Sequence, residues 1–153
     1  MKRRKLFFTL LVPLAFIAAP MFAQQSPFIL SATERWQGRI NYTDPQGARR
    51  SDLYEIIFIR GGTCIVSVNT TVDGGEVYFD ADGLWSESED AVTKESFLRI
   101  ECDFPDSPIE YLYCIRWASV YRFDTGNTRF TLLVPPYPDA PRSVRVQFVR
   151  TEE

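Results

Sequence analysis

The chain has 153 residues, of which 45% are hydrophobic and 14% aromatic, enough apolar material for one packed core and too much for a disordered chain. Ten Pro and eight Gly favour short strands joined by turns over a helical bundle. There is no His, which removes the commonest general base and the commonest metal ligand.

Met1-Lys2-Arg3-Arg4-Lys5 is a basic head, and Leu6 to Phe22 is nearly all apolar. Together they predict a signal peptide over residues 1–23, cut after Ala23, with the domain proper at 24–153. The apolar run is shorter than the ~20 residues of a spanning helix and is broken by Pro13 and Pro20. No Cys lies near the cut to carry a lipid, so the expected product is periplasmic or secreted, without an integral membrane segment. Cleavage removes four of 17 basic residues and none of 20 acidic ones, leaving 13 against 20 and a net charge of −7. The Arg are scattered singly among acids, which argues against a nucleic-acid partner.

In chain order, Trp36 to Thr43 predicts a first strand and Asp44-Pro45-Gln46-Gly47 a turn. Leu53 to Arg60, Gly61-Gly62 and Thr63 to Asn69 predict a hairpin. Glu76 to Asp80 and Leu84 to Glu87 read as strands around a tight reversal at Ala81-Asp82-Gly83. Lys94 to Phe104 alternates, with Leu98, Ile100, Cys102 and Phe104 on one face. After Pro105-Asp106-Ser107-Pro108, the alternation from Ile109 to Asp124 predicts one long strand, bent near Ala118-Ser119, with Tyr111, Tyr113, Trp117 and Tyr121 on a continuous aromatic face. Thr128 to Val134 and Ser143 to Arg150 complete the series. The fold class is all-β, a single antiparallel up-and-down β-barrel of about eight strands, because closure removes exposed edges.

Three Cys remain after cleavage. Cys64–Cys102 and Cys102–Cys114 compete as disulfides with three free thiols packed as small hydrophobes. A thiolate nucleophile lacks the cationic or His partner that would lower its pKa.

The opening Trp36-Gln37-Gly38, the hairpin meander, the Gly83-Leu84-Trp85 element and the closing Phe148-Val149-Arg150 resemble a compact bacterial lipocalin-like, calycin-type barrel. In that superfamily a Gly-x-Trp of the first strand packs its Trp across the closed end, under an Arg from the last strand. Here the first motif is reversed, and the Gly-x-Trp lies mid-chain. The resemblance implies a lid made by Trp36 with Arg150 or Arg145, and a small, mostly apolar ligand in the barrel mouth without catalysis.

Enzyme chemistry lacks its parts: no His for a hydrolase triad, no Gly-rich loop leading into a helix, no selected carboxylate pair. The acids at Asp80-Ala81-Asp82 and Glu87-Ser88-Glu89-Asp90 lack EF-hand spacing and read as solvated loops, so neither a metal nor a cofactor is expected. The expected function is a non-enzymatic binding protein that holds a small apolar or amphipathic ligand inside the barrel, with Tyr111, Tyr113, Trp117 and Tyr121 on its wall. The alternative is an envelope protein-binding module that uses its loops and the Pro-rich segment from Val134 to Pro141.

Overall fold

A computed structural model describes residues 33–151; the expected signal peptide lies outside them. Among the described residues nine strands follow one another without a helix: β1 (Thr33–Thr43), β2 (Arg49–Ile59), β3 (Thr63–Val72), β4 (Gly75–Glu89), β5 (Ser96–Asp103), β6 (Cys114–Val120), β7 (Arg122–Phe123), β8 (Arg129–Val134) and β9 (Val144–Thr151). All form one antiparallel sheet in the order β6-β5-β4-β3-β2-β1-β9-β8-β7. The first and last hairpins therefore meet through β1 and β9, and the sheet curls into a nearly closed up-and-down barrel. Its seam runs between β6 and β8. Side chains bridge it: Ser119 Oγ accepts from the Leu133 N–H at 3.1 Å, and Trp117 Nε1 donates to the Pro135 carbonyl at 3.1 Å. Among the described residues no helix is long and apolar enough to cross a membrane.

The strand count is nine rather than about eight, and two segments depart from their expected course. Residues 76–87 do not reverse at Ala81-Asp82-Gly83. They run on as the fifteen-residue β4, with Val77, Phe79, Ala81, Trp85 and Glu87 turned inward. Gly83 sits between Cys64 of β3 and Cys102 of β5, and a Cβ there would lie 2.6 Å from the Glu101 carbonyl and 3.1 Å from Cys64 Sγ. The glycine is a close-approach site. The reversal is made at Asp73-Gly74, both with positive φ, 50° and 81°.

The second correction concerns Ile109 to Asp124. Pro105 and Pro108 interrupt pairing, and the Ser107 N–H bonds the Phe104 carbonyl while the Leu112 N–H bonds that of Ile109. Residues 104–113 are therefore a loop, β6 starts only at Cys114, and the strand breaks again at Tyr121.

The alternating strands otherwise carry the core as their pattern dictates. Leu98, Ile100 and Cys102 of β5, Phe130, Leu132 and Val134 of β8, and Val146 and Phe148 of β9 are buried. Arg99, Asp103, Arg129 and Arg145 face out and are exposed. Large rings fill the middle: Trp36 meets Phe130 edge-on at 4.8 Å, Phe130 stacks on Phe148 at 5.1 Å, and Tyr54 lies 5.2 Å from Trp117. Gly38 faces Phe148 across the β1–β9 pair, and the ring occupies the place of a side chain, since a Cβ at Gly38 would lie 2.8 Å from it. Trp36 is paired in register with Arg150, whose guanidinium bonds Glu34 at 3.3 Å, whereas Arg145 lies on the outer face.

The three cysteines are buried and free. Register explains why. Cys64 and Cys102 are separated by the intervening strand at Gly83, about 10 Å between backbones at ordinary strand spacing, beyond the ~7 Å a disulfide spans. Cys114 is opposite Asp103 rather than Cys102, so those two side chains leave the sheet on different faces.

Candidate functional site

One end of the barrel carries the turn 44–48, the reversal at Asp73-Gly74, the loop 104–113 and the Pro-rich connection 135–143. Inward positions at this end are polar. On β1, Tyr42 continues the buried series of Trp36 and Ile40; on β2, Asp52 shares a face with Tyr54, Ile56 and Phe58; on β3, Thr70 follows Val66 and Val68. The pairing of Ile40 with Asp52 and of Leu53 with Asn69 brings the three strand ends side by side.

Asp52 is 1% exposed. Its Oδ2 accepts from the Tyr42 hydroxyl at 2.6 Å, and its Oδ1 from Thr70 Oγ1 at 2.5 Å. The Tyr42 oxygen lies 3.2 Å from that of Tyr111; since Tyr42 has already given its one hydrogen to Asp52, Tyr111 donates here. Burial first, then the bond to Asp52, pushes the Tyr42 phenol far above its ordinary value, so it stays a neutral donor. Deeper in, Tyr54 is fully buried, its oxygen has no hydrogen-bond partner, and burial together with the nearby Asp52 charge holds its phenol well above the usual range.

Three rings cover this set. Tyr42, Tyr111 and Tyr137 lie 5.3 to 6.4 Å from one another. Beside them Asp44 accepts from Arg50 Nε at 2.8 Å and from the Ala48 and Gln46 N–H groups. Burial alone would raise the Asp44 carboxyl, but Arg50 and the two backbone donors outweigh it and hold the group below its ordinary value. Arg50 also donates to the Thr71 carbonyl at 2.8 Å.

Two clefts open at the same end. One, of about 280 Å³, is walled by Arg50, Val72, Pro108, Ile109 and Tyr111. The other, of about 310 Å³, lies against the seam and is walled by Tyr113, Cys114, Trp117, Pro135, Tyr137 and Pro138. The four aromatic residues singled out in sequence are thus dispersed. Tyr111 is half-buried and walls the first cleft; Tyr113 is 53% exposed and borders the second, so it does not share an inward face with the others. Trp117 is packed between Tyr54 and Phe148 with only an edge on the second cleft. Tyr121 is buried at the opposite end of the barrel, against Phe123 and Phe130. The loop at 104–113 explains Tyr113: without a strand there, alternation does not set which way a residue points.

Sequence reasoning missed Tyr42, Asp52, Tyr54, Thr70 and Tyr137. One signal was present, since Asp52 lies two and four residues before Tyr54 and Ile56 and therefore places an acid on the apolar face of β2. Comparison of the chain with protein-family models, curated proteins and solved structures finds no match.

Proposed function

We propose that this is an exported, non-enzymatic binding protein of lipocalin-like architecture, with the site for a small amphipathic ligand at the loop end of the barrel and not in its middle. The observation that carries this reading is the cleft at Tyr111. Apolar walls from Val72, Pro108 and Ile109 adjoin one cation, Arg50, and a tyrosine whose hydroxyl is tied to the buried Asp52 set. A mostly apolar concavity with a few convergent polar groups is the usual make-up of small-molecule sites. The rings packed through the middle leave the ends as the natural place for a ligand. In this reading Tyr111 is a contact residue, Tyr113 and Trp117 border the neighbouring cleft, and Tyr121 serves packing.

Titration of the mature domain with the uncharged fluorescent dye Nile red tests it. Saturable binding is expected, weakened at least tenfold by Ala48→Trp, which fills the cleft from an exposed turn position. The exposed Ala91→Trp at the far end is the control. Absence of saturable binding, or equal loss in both variants, refutes the reading. A second reading, protein recognition, rests on Tyr113 standing exposed beside the Pro-rich segment; it becomes the better account if Tyr113→Ala abolishes capture of a partner while Ala48→Trp does not.

A further inference from the structure

From the residues around Asp52 we infer that the ligand recognised at the loop end is a primary alkylammonium, its cationic head on the Asp52 carboxylate beneath the Tyr42, Tyr111 and Tyr137 rings and its aliphatic body in the cleft at Ile109. This rests on the cleft reading above and names the ligand class.

The first observation is a missing counter-charge. Asp52 is 1% exposed, and among the described residues no Lys or Arg nitrogen lies within ion-pair distance of it. The inward cation of this end, Arg50, is turned away and held by Asp44 and the Thr71 carbonyl. A carboxylate taken from water without a cation is costly, and hydrogen bonds offset only part of that cost. Here two hydroxyls donate to it, against about four lone-pair positions on a carboxylate.

A second, independent observation is the Tyr54 oxygen, fully buried and without a partner. This hydroxyl, two positions along β2 from Asp52 on the same face, can accept as well as donate. Unfilled acceptors near a lone negative charge call for a group with several N–H donors and a positive charge, which a primary ammonium is and a carboxylate, an alcohol or a quaternary ammonium is not. The three tyrosine rings add the faces over which a cation is stabilised.

The route is also local. Tyr111 both walls the cleft and covers the buried set, and its hydroxyl contact with Tyr42 is a single 3.2 Å bond. An ammonium that takes the place of this hydroxyl and then of the Tyr42 hydroxyl on Oδ2 reaches Asp52, while an alkyl chain stays against Val72, Pro108 and Ile109. Glu110 at the rim favours a cation's approach, and Arg50, already paired with Asp44, opposes it least.

Calorimetric titration of the mature domain with hexylamine, hexan-1-ol and hexanoate at pH 7 tests the inference. Hexylamine is expected to bind at least tenfold more tightly than either analogue. Asp52→Asn should erase the preference, and Tyr54→Phe should weaken hexylamine three- to tenfold while leaving hexanol unchanged. Equal binding of all three overturns the cation inference and leaves the cleft reading standing; preference for hexanoate overturns it in favour of Arg50. No binding of any of them overturns both. Should Asp52→Asn fail to fold by circular dichroism, Tyr54→Phe decides: an unaltered amine preference there refutes the inference.

Discussion

Trp117 separates a packed wall from a ligand-lining one, and its truncation has a magnitude that follows from its surroundings. The side chain is 1% exposed, lies 5.2 Å from the Tyr54 ring and 6.2 Å from that of Phe148, and donates to the Pro135 carbonyl across the seam. Replacing a buried aromatic by Ala costs about 3–5 kcal/mol. Loss of the bond that ties β6 to the chain after β8 adds about 1 kcal/mol. Trp117→Ala should therefore cost about 4–6 kcal/mol, a large share of the ~5–15 kcal/mol that hold a domain of this size together. At a urea m-value of about 1.5 kcal/mol/M, the midpoint should fall by roughly 3 M. Trp117→Phe keeps most of the ring and loses the hydrogen bond, so it should cost about 1–2 kcal/mol. Far-UV circular dichroism during urea unfolding reads both without depending on tryptophan emission. A Trp117→Ala midpoint within about 0.5 M of the parent would mean that the residue faces open space and that the filled barrel is wrong.

Gly83→Ala should cost several kcal/mol, since the new Cβ meets the rigid Glu101 carbonyl at 2.6 Å, while Gly126→Ala, whose nearest neighbour would be the Thr128 methyl at 3.7 Å, should be nearly silent; thermal melts that rank them the other way refute the close-approach reading. Glu87, inward on β4, has one buried oxygen without a partner, and burial pushes its carboxyl up to about 7. A carboxyl raised in the folded state favours folding at low pH and loses that contribution as pH rises from the unfolded value near 4.5 through about 7. Glu87→Gln should accordingly match the parent at pH 4 and exceed it in stability at pH 8, and a constant difference across that span would refute it. Burial raises the thiols of Cys64 and Cys102 to about 11 and 12, so iodoacetamide at pH 8 should label them only as fast as the domain unfolds. Recovery of a Cys64–Cys102 disulfide from air-oxidised protein would show that the strand register is not the one described.

What the sequence disclosed depended on whether local pattern and tertiary partner agreed. In β5, β8 and β9 they do: Leu98, Ile100 and Cys102, or Val146 and Phe148, alternate with charges, and the buried set is the alternating one. Asp-Gly occurs at 73–74 and at 82–83, and only the first turns. At the second, Phe79, Ala81 and Trp85 keep the inward rhythm, and the glycine answers to a neighbouring strand that no local window contains. The alternation of Tyr111 and Tyr113 is the converse case, a strand-like pattern in a segment whose backbone bonds are those of turns. Tyr42, Tyr111 and Tyr137 stand far apart in the chain and meet only because β1, the loop 104–113 and the connection 135–143 end at the same rim.

The two ends of the barrel treat a buried carboxylate differently, and the contrast bears on where function sits. Glu87 has apolar neighbours on its own face, Trp85 beside it and Leu98 opposite, and its raised carboxyl is neutral over part of the physiological range. Asp52 is instead met by hydroxyls delivered from β1 and β3, the same strands that set the register of the sheet. Its acceptor geometry is therefore fixed by the most heavily paired part of the fold. Its cover is fixed only in part: Tyr42 stands on β1, but Tyr111 and Tyr137 come from connections outside the ladder, held by turns and ring contacts. In the proposed reading, a rigid acceptor whose outer cover is held by loops makes a preorganised site with a low cost of opening, because displacing Tyr111 and Tyr137 breaks no strand pairing. The packed middle makes this division possible, since the rings that fill the lumen also anchor the strand ends on which the polar set is mounted.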